Sequence, residues 1–131
     1  MNSIDISSYK KLYLSTANEY VDSLLSSCNE ILQNTPDLLK VKTMHLSAHS
    51  IKSQSQVMQY TKTAVLSGLI EKILKFFLDN NMPIADDLAR MIKEAAEKIK
   101  SSLALIETQD KEEDLDEITK RLEEQFNALR P

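Results

Sequence analysis

Between residues 41 and 58 one row of side chains, Val41, Met44, Ala48, Ile51, Ser55 and Met58, recurs at steps of 3, 4, 3, 4 and 3. A strand alternates with period two, so this row can only be one stripe of an α-helix. A second row, His45, His49, Lys52 and Gln56, repeats the spacing one residue later and stands about 100° round the helical wheel. The first row is a seam for packing in a bundle, and the second runs along its edge.

The rest of the chain repeats the theme. A first helix over about Ser7–Gln33, capped by Asp5 or Ser7, carries Ile6, Tyr9, Tyr13, Tyr20, Leu24, Cys28 and Ile31 at steps of three, four and their sums. Asn34-Thr35-Pro36 breaks it; Thr35 is placed to cap the second helix and Pro36 to fill its first turn. A third helix, about Thr63–Asp79, has Leu66, Ile70, Ile73 and Phe77 on its seam and Ala64, Gly68, Glu71 and Lys75 on the flank. A fourth, about Pro83–Thr108, shows Ile84, Leu88, Met91, Ala95, Ile99, Leu103 and Ile106, and a fifth, about Glu113–Leu129, shows Leu115, Ile118, Leu122, Phe126 and Leu129. The acidic start Glu112-Glu113-Asp114 suits the positive end of that last helix.

With one glycine and three prolines in 131 residues, the chain lacks the turn residues of a many-stranded sheet. The expected fold is all-α: an antiparallel bundle of four helices over about residues 7–108, with an additional C-terminal helix at about 113–129. It is read as one domain over residues 1–131. A net charge of −4 argues against nucleic acid and gives an anionic membrane surface little to bind. No apolar run approaches the roughly 20 residues of a membrane span, and the N-terminus lacks a basic, apolar leader, so a cytoplasmic location is expected. Cys28, the only cysteine, reads as a buried thiol among Leu24, Leu25 and Ile31.

His49 is the residue where chemistry is expected. Lys52 lies one turn on along the same face, about 5–6 Å away at Cβ, so a nucleophilic imidazole there would have a cation beside an anionic product. Taken alone, a surface histidine with a lysine three residues on is ordinary. His45, one turn earlier with no lysine three residues on, reads as a solvated or supporting neighbour. His45 and His49 at i, i+4 could also hold zinc, but no cysteine is near, no glutamate follows His45, and only Glu71 could serve as third ligand, so no metal is expected. Gly68, inside the third helix, allows either a close helix contact or room for a visiting molecule.

Ala48-His49-Ser50-Ile51-Lys52 resembles the motif of histidine phosphotransfer (HPt) domains, most closely the N-terminal P1 domain of the CheA chemotaxis kinases. The opening Asp5-Ile6-Ser7-Ser8-Tyr9, Glu19 in the first helix, Pro36 before the histidine helix, Glu71 on the next helix and the fifth helix extend the likeness over about residues 4–129. The resemblance implies a bundle of HPt type with His49 as phosphoacceptor, Lys52 as neutralising charge and Glu71 as the carboxylate that orients the ring. A carboxylate accepting from Nδ1–H would leave Nε2 as nucleophile. The implied partners are a histidine kinase catalytic domain and a CheY-like receiver, met through His45, Ser53, Gln56 and Gly68. With no glycine-rich phosphate loop, this chain is expected to bind no cofactor itself, ATP and magnesium coming through partner domains. The family's glycines after the lysine are replaced by Ser53, Gln54 and Gln56, and a histidine one turn before the glutamate by Gly68. Those departures leave a second reading open, a helical docking module on the same fold without phosphorylation.

Overall fold

The computed structural model describes residues 3–33 and 37–130, the side chains from residue 7 onward. These form α1 (Ser3–Gln33), α2 (Leu38–Val57), α3 (Thr61–Asp79), α4 (Asp86–Gln109) and α5 (Asp116–Leu129), with no strand among the described residues. The fold is the expected all-α one.

Cross-helix pairs fix the directions. α1 meets α2 at Tyr13–Ser55 and again at Glu30–Lys40, so the two run antiparallel. α1 meets α4 at Lys10–Asp110 and Asp22–Lys100, again with descending partner numbers. α2 and α3 do the same, His49 meeting Glu71 and Lys52 lying against Gly68. α5 turns back along α4, where Arg121 pairs with Glu94 at 3.2 Å, and also packs on α3, where Phe126 meets Phe76 edge-on at 5.4 Å. One apolar cluster draws on all five helices, and the expected seams of α2 to α5 supply most of it. Ala48 and Ile51, which flank His49 and precede Lys52, are fully buried and clamp that stretch of α2 to the bundle.

Several expectations need correction. The backbone is already helical at Ser3, so Asp5 and Ser7 lie inside α1 and are not its cap. Tyr9 is half exposed (51%) and Tyr20 only partly buried; the working seam of α1 runs through Tyr13, Ala17, Val21, Leu24, Cys28 and Ile31. On α4 Met91 is only partly buried, and on α5 Leu129 is exposed, so neither completes its seam as expected. Thr35 and Pro36 lie outside the described residues; α2 is capped by Asp37, whose carboxylate accepts from the Leu39 N–H at 2.9 Å. α3 begins two residues early, α4 three residues late at Asp86, and α5 three residues late at Asp116.

The acidic cluster before α5 is divided. Glu112 does not serve α5: its carboxylate accepts from the N–H of Thr63 (2.7 Å) and Lys62 (3.3 Å) and from the Thr63 hydroxyl (2.7 Å). It thus caps α3 from 49 residues away. Asp114 accepts from the Asp116 N–H and does start α5. The turns use Gln59, Asn81 and Asp110 at φ of 65°, 51° and 55°, left-handed positions that glycine usually fills.

No helix among the described residues is long and apolar enough to cross a membrane.

Candidate functional site

The His49 edge of α2 faces the Glu71 flank of α3. His49 Nδ1 lies 2.5 Å from Glu71 Oε2, and Lys52 Nζ lies 2.7 Å from Oε1. His45 Nε2 stands 3.9 Å from the same Oε2, beyond a direct hydrogen bond. One carboxylate therefore gathers two imidazoles and an ammonium. The His49 side chain is 53% exposed while that of Glu71 is 15% exposed, so an open ring leans on a sheltered acid.

Burial alone would raise the Glu71 pKa. The hydrogen bonds from Lys52 and then His49 outweigh that and hold its carboxyl below the ordinary glutamate value. An ionised carboxylate can only accept, so the proton in the short contact belongs to His49 Nδ1. That fixes the tautomer: Nε2 carries the lone pair, on a ring half open to solvent.

The expected residues fall unevenly. His49, Lys52 and Glu71 come together. Lys52 reaches Glu71 rather than standing free over the ring, so its charge first balances the acid. His45 joins the same oxygen's surroundings. Gly68 serves Lys52: a Cβ built there would sit 3.1 Å from Lys52 Cδ, so the lysine stem occupies the space and the close-contact reading describes it. Ser53 is half-buried, and Gln56, two turns beyond His49, is exposed. Near Gln56 an apolar groove of about 690 Å³ opens between α1 and the end of α2, lined by Tyr9, Leu12, Tyr13, Val57 and Met58 among others. The sequence carried a signal for this groove in Leu12 and Val57, apolar residues off their seams, which reading along the seams passed over.

Tyr13 and Cys28 lie away from this site. Burial pushes each to about 12 and keeps both neutral, the Tyr13 hydroxyl paired with Ser55 at 2.9 Å. Among the described residues no three His, Cys, Asp or Glu side chains are grouped to hold a metal ion.

No family model matches the chain. It is 26% identical over 125 residues to the chemotaxis protein CheA of Bacillus subtilis (strain 168), a match covering 92% of this chain and 18% of that protein. The chain thus spans less than a fifth of that relative's length. Its structure superposes with a TM-score of 0.85 on the phosphorylated P1 domain of CheA3, solved in complex with CheY6 from R. sphaeroides, at 13% identity over 92% of this chain and 97% of that one. With this topology and this sequence likeness, the chain has the fold of a CheA P1 domain, an HPt-type bundle with a fifth helix.

Proposed function

We propose that the chain is a histidine phosphotransfer domain of a chemotaxis-type phosphorelay, with His49 as its phosphoacceptor. The observation that supports this most is the 2.5 Å contact of His49 Nδ1 with an ionised Glu71 on a ring that stays half exposed. The Nε2 lone pair attacks the γ-phosphorus of ATP, forming the N–P bond as the bond to the bridging oxygen breaks and ADP leaves. The ring gains positive charge while Nδ1 keeps its proton, and Glu71 balances that charge. Lys52 holds the carboxylate and adds positive potential beside the incoming oxyanions. Transfer onward reverses the roles: an aspartate oxygen of a receiver attacks phosphorus, and the electron pair of the N–P bond returns to Nε2.

His49 and Lys52 each engage one oxygen of Glu71. ATP and magnesium come with the kinase catalytic domain and the receiver, and this chain is the carrier rather than the kinase. On this reading the protein works in the cytoplasm, and residues 1–131 form a single domain. A receiver would meet the exposed face from His49 to Gln56 and the apolar groove beside it.

The test is incubation with a CheA-type catalytic domain, magnesium and ATP. Acid-labile, base-stable phosphate should appear on the chain and vanish in His49→Gln. Labelling that persists in that variant overturns the assignment. Receiver binding without any labelling would make the chain a docking module instead.

A further inference from the structure

We propose that His45 is a positioning residue that controls, through Glu71, the pH at which His49 can accept a phosphoryl group. The proposal rests on the phosphoacceptor reading of His49. Its basis is that His45 Nε2 stands 3.9 Å from the carboxylate oxygen that accepts from His49 Nδ1, with its side chain 25% exposed.

While His45 is neutral, Oε2 has one N–H donor, His49, and the acceptor ring is oriented. A protonated His45 places an N–H cation within about 1 Å of hydrogen-bond reach of that oxygen. Charge-assisted pairing is stronger than a neutral bond and draws the oxygen toward His45. Lys52 on Oε1 acts as the pivot that keeps the carboxylate on this face. The competent state therefore needs both rings neutral: a proton on His49 removes the lone pair, and a proton on His45 removes the orienting acceptor.

The other charges nearby do not substitute for this arrangement. On α3 the neighbours of Glu71 are Lys72 and Lys75, the latter engaged by Asp79 at 3.1 Å. On α2 itself Lys42 lies one turn before His45, and His49 and Lys52 follow it. On α1, packed on the other side of α2, Asp22 is taken by Lys100 and Glu30 by Lys40. Glu71 is the acid that meets His45.

A second ring that must also be neutral lowers the competent fraction below that of a single ring. Where a lone ring would be ten parts protonated to one neutral, a one-ring acceptor keeps about one molecule in 11 competent. The two-ring site keeps between about one in 21 and one in 121, depending on how strongly the first proton opposes the second.

The experiment compares wild type with His45→Gln in the 131-residue chain, using phosphoramidate as donor so that no kinase is required. The ratio of variant to wild-type initial rate should rise two- to elevenfold as pH falls from 8 to 5.5, the span over which imidazoles ionise. A ratio constant across that range overturns the proposal, because a packing role would shift the rate equally at every pH. A second readout needs no phosphorylation. As pH falls, ¹⁵N shifts should show the neutral His49 ring of wild type moving from the Nδ1–H toward the Nε2–H tautomer, while in His45→Gln and His45→Ala it stays Nδ1–H; identical tautomer ratios overturn the proposal. If neither protein labels but the tautomer ratios differ, the coupling stands and the phosphoacceptor reading falls.

Discussion

Replacing Gly68 by Ala sets two opposed terms against each other. Gly68 sits inside α3, where glycine costs about 1 kcal/mol relative to alanine. The new methyl would lie 3.1 Å from Lys52 Cδ and 3.7 Å from Cγ, with no other atom near enough to matter. Relief requires the lysine stem to move by a few tenths of an ångström. That stem is flexible and its side chain 29% exposed, so a modest torsional adjustment of about 0.5 kcal/mol suffices. These two terms alone leave a gain of about 0.5 kcal/mol, a rise in urea midpoint of roughly 0.2–0.5 M at a slope of about 1–2 kcal/mol/M. The same movement lifts Nζ off Glu71 Oε1, a partly exposed ion pair worth up to about 1 kcal/mol, so the net change in stability lies between a gain and a loss of about 0.5 kcal/mol, and phosphorylation of His49 should slow about two- to fivefold. Urea unfolding by circular dichroism and phosphoramidate labelling measure the two halves. Destabilisation by more than about 1 kcal/mol would show that the methyl meets something that cannot yield. A stabilised variant with an unchanged rate would show that the working position of Lys52 does not depend on the missing Cβ.

Glu71→Gln should leave the bundle folded but slow labelling of His49, since an amide accepts more weakly and balances no charge. It should also change the acid limb of stability. The Glu71 carboxyl lies lower in the folded chain than in the unfolded one, so its contribution is complete above the ordinary glutamate value of ~4.3 and is lost as pH falls through the lowered value. The urea midpoint of the variant should therefore fall less than that of wild type between about pH 5 and pH 3, and parallel curves would refute the sign. Glu112→Ala removes the acceptor for two N–H groups and the Thr63 hydroxyl, and Thr63 is fully buried. A loss of about 2 kcal/mol is expected, with faster amide exchange at Lys62 and Thr63; a loss under about 0.5 kcal/mol would mean water replaces the carboxylate there.

What the sequence made legible was whatever repeats along one helix. The seams of α2 and α3 follow from steps of three and four because burial of one stripe dictates them. On α1 the tyrosines misled: Tyr9 fits the spacing yet stands at the bundle's end, while small Ala17 carries the seam. His49 and Glu71 were found through a motif, but the Lys52–Glu71 pair and the proximity of His45 depend on how two helices cross, which no single helix encodes. Glu112 had no local signal at all. Its partner lies 49 residues back, and its acidic neighbours suited the nearer helix equally well.

That distant cap has a practical meaning for anyone trimming the molecule. The linker between α4 and α5 plugs the first turn of the helix that carries Glu71 some two turns further along. A four-helix fragment cut after residue 109 would look complete on a topology diagram, yet it would uncork the support of its own acceptor site. The fifth helix is the anchor that keeps the plug in place.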